Sequence, residues 1–123
     1  MCACSSQKGA IGLAHKRHIE VNDSVQYELL VFDAEFETWF ETNYSPAKDH
    51  TNEYYQSWNT QYVNDWNYHY MAGQFPKIFE NYIDYDSNVN YGIELNRELY
   101  YYFRYVETYL KVPILLVGTK NVT

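Results

Sequence analysis

The apolar residues between positions 53 and 70 recur every three or four residues, which is the period of one face of an α-helix. Polar residues occupy the opposite side, and Gly73 and Pro76 follow as helix-ending residues. Five large rings share the apolar face, within an arc of about 120°: Tyr55, Trp58, Tyr62, Trp66 and Tyr70. The pattern predicts an amphipathic helix over residues 53–70.

A shorter helix is predicted directly after residue 33. Asp33 supplies the side-chain oxygen that caps a helix N-terminus, and Glu35 places a negative charge in the first turn. Phe36, Trp39 and Phe40 follow at the spacing i, i+3, i+4, so they share one face of this helix.

A third helix is predicted to begin between residues 90 and 94 and to run to about residue 111. Lys111 is a favourable cation for the last turn, and Pro113 cannot continue the helix. Its main apolar face contains six residues: Leu95, Leu99, Tyr102, Val106, Tyr109 and Leu110. The far side carries four residues: Arg97, Tyr100, Tyr101 and Arg104.

Two further segments have the composition of strands. Residues 25–32 are rich in β-branched and aromatic types, and residues 114–117 are all apolar. Pairing of the two predicts an α+β fold, in which about three main helices pack on a small two-stranded sheet. A disordered tether over residues 1–22, a single globular domain over residues 23–118 and a short tail over residues 119–123 complete the expected organisation.

The composition is unusual in its aromatic content. Tyr, Phe and Trp make up 20% of the 123 residues, and 15 of these rings are tyrosines. Buried rings can form the core, but each buried tyrosine hydroxyl needs a hydrogen-bond partner. An exposed cluster around Trp58, Tyr62 and Trp66 would instead resemble a sugar-binding face, where rings stack on a pyranose and amides bind its hydroxyl groups.

The charge of the chain excludes some classes of partner. Nine basic residues stand against 16 acidic ones, giving a net charge of −7, so the chain lacks the positive field that nucleic acid binding requires. Residues 19–76 contain ten carboxylates and one cation, Lys48, which predicts an acidic surface over that half. No apolar run approaches the roughly 20 residues of a membrane-spanning helix.

Both cysteines lie at the N-terminus, in the sequence Met-Cys-Ala-Cys-Ser-Ser. Ala3 and Cys4 followed by a polar tract resemble the end of a bacterial lipoprotein signal, in which Cys4 would carry the lipid. The alternatives are half of a metal site, which lacks further cysteines, and a disordered tail with two incidental thiols. A disulfide between Cys2 and Cys4 would close too short a loop to stabilise a fold.

Three segments carry a family resemblance. They are Tyr54-Tyr55-x-x-Trp58-Asn59-x-x-Tyr62-Val63-x-x-Trp66-Asn67, then Ile83-Asp84-Tyr85-Asp86, then Tyr91-Gly92-x-Glu94-Leu95-Asn96-x-x-Leu99-Tyr100-Tyr101-Tyr102-Phe103-Arg104-Tyr105. This pattern resembles an uncharacterised family of small Bacteroidota lipoproteins over residues 25–112. The resemblance implies an envelope location and carries no catalytic residue across.

Few residues suggest chemistry. His69, one turn after Asp65, has the spacing of an oriented general base, although a histidine among rings is more often a core residue. Asp84, Asp86 and Asn88 alternate as in a calcium loop, but Val89 stands where that loop needs glycine, so a turn is the simpler interpretation.

Arg104 has tyrosines three and four residues earlier on the third helix. Its guanidinium either packs on Tyr100 and Tyr101 or binds an anionic group of a ligand. The seven residues predicted to contact a ligand are Trp58, Tyr62, Trp66, His69, Tyr100, Tyr101 and Arg104.

The sequence therefore predicts a non-enzymatic domain of the bacterial envelope, anchored by lipid at Cys4 and facing the periplasm or the cell surface. We expect it to contact an envelope protein or glycan, without a cofactor. One alternative is a carbohydrate- or peptide-binding module that uses exposed Tyr and Trp. The other is a small hydrolase that uses His69 or the carboxylates of Asp84 and Asp86.

Overall fold

The computed structural model describes residues 14–21, 24–31 and 33–116, and it describes only the backbone of the first two ranges. Three α-helices lie within residues 33–116: α1 Ala34–Asn43, α2 Asn52–Ala72 and α3 Ile93–Thr108, with a short 3-10 helix at Pro46–Lys48. Before them, β1 Ala14–Val21 and β2 Ser24–Val31 run antiparallel to each other. The helical segments account for most of the described chain.

The fold is mostly helical, so the predicted α+β class, with helices packed on a two-stranded sheet, is wrong. Residues 33–116 contain no strand, and residues 114–116 do not pair with residues 25–31. β2 pairs with β1, which falls within the range predicted as a tether. Cys4 and residues 117–123 lie outside the described residues, so the lipid anchor and the C-terminal tail stay predictions.

Side chains of two helices take the place of the missing strand partner for residues 114–116. The Glu107 carboxylate accepts hydrogen bonds from the first two of these amides at 3.1 and 3.0 Å, and Asp65 accepts from the third at 3.0 Å. Nε2 of His69 lies 2.7 Å from the carbonyl oxygen of Ile114. These bonds satisfy the backbone groups that a sheet would otherwise satisfy, so the segment stays extended without joining one.

The cap predicted for α1 is confirmed. Oδ1 of Asp33 accepts hydrogen bonds from the amides of Glu35 and Phe36 at 3.0 and 3.3 Å. The other carboxylate oxygen accepts from the hydroxyl of Tyr105 at 3.1 Å, which ties the start of α1 to the end of α3. Phe36 is fully buried against α3, with its ring 5.4 Å from that of Tyr105.

The helix predicted over residues 53–70 is also confirmed, as α2. Thr51 caps its N-terminus by accepting from the amide of Tyr54, and Gly73 ends it in the left-handed conformation at φ 73°. Tyr55, Tyr62 and Trp66 are buried as predicted. Two members of the predicted stripe lie at the edges of its arc: Trp58 is partly exposed, and Tyr70 is 39% exposed.

α3 is the central helix, because α1, α2 and β2 all contact it. Four of the six residues predicted to line its buried face are buried: Leu95, Leu99, Tyr102 and Val106. Tyr101 and Tyr105 are buried as well, since α1 packs on the side that the sequence indicates is outward. Tyr109 follows the last residue of α3 and is 51% exposed, so its predicted burial is wrong.

The core is built largely from rings whose hydroxyl groups find specific acceptors. Burial raises the pKa of Tyr85 to about 12, and burial likewise raises the pKa of Tyr62 and Tyr105. Four tyrosines in the core or packed against it donate to side-chain oxygens: Tyr55 to Asp49 at 2.6 Å, Tyr62 to Glu107 at 2.8 Å, Tyr85 to Asn96 at 2.7 Å and Tyr105 to Asp33 at 3.1 Å. Neutral, hydrogen-bonded tyrosines therefore replace the aliphatic residues of a more usual core.

Candidate functional site

A shallow groove runs between α1 and the C-terminal half of α3, and we call it the α1–α3 groove. It consists of two adjoining depressions of about 400 and 380 Å³ that share Trp39 and Tyr109. The first is lined by Trp39, Asn43, His50, Tyr100, Tyr101, Arg104, Thr108 and Tyr109. The second is lined by Ala34, Glu35, Thr38, Trp39, Thr42 and Tyr109. Each depression falls within the size range of small-molecule sites.

The two shared rings rest on buried rings of α3. The Tyr109 ring stacks on that of Tyr105 with centroids 5.2 Å apart. The Trp39 ring lies 5.6 Å from Tyr105 and 6.3 Å from Tyr101. Because Tyr105 is fully buried, this support fixes the positions of both groove rings and leaves part of each in contact with solvent.

Arg104 brings a positive charge into the larger depression. Its side chain is 42% exposed, and its Nη1 atom lies 3.6 Å from Oε1 of Glu107. The Glu107 side chain is only 2% exposed, so it approaches the guanidinium from the protein side. Burial is the largest single influence on the pKa of Arg104 and lowers it, but the Tyr62 hydroxyl, with smaller effects of Tyr100 and Glu107, outweighs burial and raises this pKa.

A charged pair borders the same depression. Arg97 binds Asp49 through two hydrogen bonds of 3.0 and 2.8 Å, and its guanidinium lies 5.2 Å from the centre of the Tyr44 ring. The hydrogen bond from Arg97, followed by that from Tyr55, lowers the pKa of Asp49 to about 2. Asp49 therefore remains ionised and paired over the ordinary pH range.

His50 and Tyr100 line the larger depression, and Tyr54 contacts both of them. The imidazole of His50 stacks on the Tyr54 ring with centroids 3.8 Å apart, and the hydroxyl oxygens of Tyr54 and Tyr100 lie 3.4 Å apart. The groove thus offers aromatic edges, hydroxyl groups and an imidazole around one guanidinium.

The structure places three of the seven predicted ligand-contact residues in the groove: Tyr100, Tyr101 and Arg104. Tyr62 and Trp66 are at most 2% exposed in the core, and Trp58 is only partly exposed beside Tyr62. The face of α2 around Trp58, Tyr62 and Trp66 therefore does not form an open ring platform.

His69 and Asp65 hold the C-terminal segment of the described chain. His69 contacts the side-chain oxygen of Gln74 through Nδ1 and the carbonyl oxygen of Ile114 through Nε2. Asp65 accepts from the amide of Leu116, not from His69. The two residues that suggested a general base are thus engaged separately, with backbone groups as partners.

Asp84, Asp86 and Asn88 lie in an exposed turn before α3. Oδ1 of Asp86 accepts from the amide of Asn88 at 2.9 Å, and Oδ1 of Asn90 accepts from the amide of Gly92 at 3.2 Å. Such side-chain bonds to nearby amides are typical of turns. Across the described residues, no three His, Cys, Asp or Glu side chains are placed to hold a metal ion.

Sequence reasoning missed five residues of the larger depression: Trp39, Asn43, His50, Thr108 and Tyr109. One signal was present, because Trp39 and Asn43 are four residues apart on α1, and Arg104 and Thr108 are four apart on α3. Each pair lies along one helix face, but their meeting depends on how α1 docks against α3.

The profile of a family of unknown function, DUF6146, matches residues 1–119 of the sequence. The chain belongs to DUF6146. Comparisons with curated proteins and with solved structures gave no match. For this DUF6146 chain, none of the described helices is both long and apolar enough to cross a lipid bilayer.

Proposed function

We propose that this DUF6146 chain is a non-enzymatic module of the bacterial envelope that contacts a glycan through the α1–α3 groove. The observation that carries the proposal is the pair of part-exposed rings, Trp39 and Tyr109, flanked by hydrogen-bonding side chains. Sugar recognition needs this combination, because the apolar face of a pyranose stacks on a ring while its hydroxyl groups bind polar side chains.

The polar groups of the groove suit this role. Asn43, His50 and Thr108 line the larger depression, and all three residues are exposed. Asn43 is held against α1 by a 2.8 Å hydrogen bond from Nδ2 to the Trp39 carbonyl oxygen. Because the two rings are held rigidly and the polar side chains beside them are short, little conformational entropy is lost when a ligand binds.

The non-enzymatic part of the proposal rests on the fate of the candidate catalytic groups. His69 and Asp65, the pair with the spacing of an oriented general base, hold residues 114–116 through the bonds described above. Side chains that are hydrogen-bonded to the backbone are poorly placed to exchange protons with a substrate.

The envelope location rests on Cys4, which follows Ala3 and precedes a polar tract, and on the resemblance to Bacteroidota lipoproteins. Expression of the full gene in a bacterium that processes lipoproteins, with an alkyne-labelled fatty acid in the medium, tests this point. We expect label on the wild-type protein and none on Cys4→Ala, with Cys2→Ala as the matched control that keeps its label. Equal labelling of Cys4→Ala and wild type would overturn the anchor.

Glycan contact is tested by calorimetric titration with tetramers of β-1,4-linked glucose, N-acetylglucosamine, mannose and glucuronate. Tyr109→Ala should weaken any binding about fivefold to tenfold, because an exposed stacking ring is lost. Tyr82→Ala is the matched control, since Tyr82 is 60% exposed and does not line the groove, whereas Tyr109 is 51% exposed. No heat with any tetramer, or equal weakening by both variants, would overturn the glycan proposal.

A further inference from the structure

The larger depression of the α1–α3 groove has a positive charge in an otherwise acidic chain. Among its eight lining residues, Arg104 is the sole Lys or Arg, and none is Asp or Glu. The whole chain has a net charge of −7, so a cationic lining is a local exception to its composition. This local positive charge favours a ligand that carries a negative charge.

The carboxylates nearest to the lining are already neutralised or turned away. Asp49, which precedes the lining residue His50, is bound by Arg97 at 2.8 and 3.0 Å. Glu107 is 2% exposed and uses its oxygens for the Tyr62 hydroxyl and the amides of Ile114 and Leu115. Neither group presents a negative charge to a ligand in the larger depression, and Glu35 is the one carboxylate that lines the adjoining depression.

The guanidinium of Arg104 keeps donors for a ligand while being held in place. A guanidinium has N–H groups on three nitrogens in one plane, and its fork matches the two oxygens of a carboxylate. Within residues 33–116, Nη1 contacts Glu107 at 3.6 Å, which is longer than a hydrogen bond, and the side chain is 42% exposed. Contacts with Glu107 and Tyr62 therefore hold the guanidinium on its protein side, and its solvent-exposed side is left for a ligand in the groove.

We propose that Arg104 binds the carboxylate of an acidic sugar, so that the glycan of the α1–α3 groove contains hexuronate residues. This inference rests on the proposed glycan function and narrows it. The sugar ring packs against Trp39 or Tyr109, and its carboxylate receives paired hydrogen bonds from Arg104. A phosphorylated sugar is the less suitable ligand, because a doubly charged group would meet a single cation here.

The test compares the affinities of the β-1,4-linked glucose and glucuronate tetramers. Each glucose unit carries a hydroxymethyl group where the glucuronate unit carries a carboxylate. We expect the glucuronate tetramer to bind wild type at least about tenfold more tightly, the ratio for one charge-assisted pair. Raising the salt concentration should reduce that preference. Equal affinity for the two tetramers would overturn the carboxylate assignment and leave the glycan function standing. No binding of either would also overturn the assignment, and the glycan function fails with it only if the N-acetylglucosamine and mannose tetramers do not bind.

Arg104 variants identify the residue responsible. Arg104→Gln should bring the ratio of the two affinities to less than about twofold, and Arg104→Lys should keep part of it because the charge remains without the fork. Affinity for the neutral tetramer serves as the internal control for folding, and it should stay within about twofold of wild type. An unchanged ratio in Arg104→Gln, or tighter binding of glucose 6-phosphate than of glucuronate by wild type, would overturn the proposal.

Discussion

Each of two sides of α3 carries a charged side chain near the core, but the two side chains have different roles. Toward α2, the Glu107 carboxylate is buried and bonded to a tyrosine hydroxyl and two backbone amides. Toward α1, Arg104 is partly exposed and makes one long contact of 3.6 Å with that same carboxylate. The difference shows that a charged side chain close to the core has a structural role when protein groups satisfy all of its hydrogen bonds. It is available to a ligand when donors remain at the surface.

The largest effect on stability is expected from Glu107→Gln, which changes the side chain with the structural role. The amide group of Gln would place N–H donors against the amides of Ile114 and Leu115 or against the Tyr62 hydroxyl, leaving buried donors unpaired. We expect a loss of about 3 kcal/mol in the free energy of unfolding, measured by urea denaturation. Glu94→Gln, at an exposed position of α3, is the control and should lose less than about 1 kcal/mol. Equal losses would refute the structural role of Glu107.

A second structural contact lies on α2 and should have an intermediate effect. The Asn67 side chain pairs with the backbone of Ile83, accepting from its amide at 2.8 Å and donating to its carbonyl oxygen at 3.0 Å. Asn67→Ala leaves both buried backbone groups unpaired and should cost about 2 kcal/mol. Asn64→Ala, at an exposed position of the same helix, should be neutral or slightly stabilising because Ala favours helices. A neutral Asn67→Ala would contradict this interpretation.

The pair of Asp49 and Arg97 at the border of the groove should have a smaller effect on stability, and this effect should depend on pH. The pKa of Asp49 is lowered from 3.8 to about 2, so its pair with Arg97 stabilises the fold fully above about pH 4. That contribution disappears as the pH falls toward 2, because the folded state must then take up a proton. Relative to Asp49→Asn, wild type should gain about 1 kcal/mol at pH 7, since the pair is partly solvated.

Thermal melting of wild type and Asp49→Asn between pH 2 and pH 7 measures this difference. The two curves should converge at the acid end. A constant gap between the two proteins down to pH 2 would show that the Arg97 pair is not its source.

The smallest effect concerns calcium and the turn before α3. Because oxygens of Asp86 and Asn90 accept from nearby amides, we expect the melting temperature to be the same in millimolar calcium and in chelator. A rise of several degrees with calcium would instead establish a site at Asp84, Asp86 and Asn88. Magnesium at the same concentration is the control for a general effect of ionic strength.

The sequence predicts what local spacing determines. The rings of α2 and the Asp33 cap follow from intervals of three and four residues and from the chemistry of one side chain, and both are found. The strand at residues 114–117 fails as a prediction because the partners of this backbone, among them Glu107 and Asp65, come from two helices. An apolar run indicates burial but does not specify which groups bind its amides.

The groove is harder to foresee for a related reason. Trp39, His50 and Tyr109 come from a helix, a loop and the end of another helix, and they meet only after α1 packs on α3. Arg104 is the exception, since its position on the outward side of α3 is readable from the helical period.

The position of Pro113 gains meaning from the way the next residues are held. Proline has no amide hydrogen, so it cannot replace Ile114 opposite the Glu107 carboxylate. A slip of one residue in that direction would leave the carboxylate oxygen with one donor fewer and would also move Ile114, which is fully buried, out of its place. Pro113 thus fixes which two residues donate their amides to the Glu107 carboxylate.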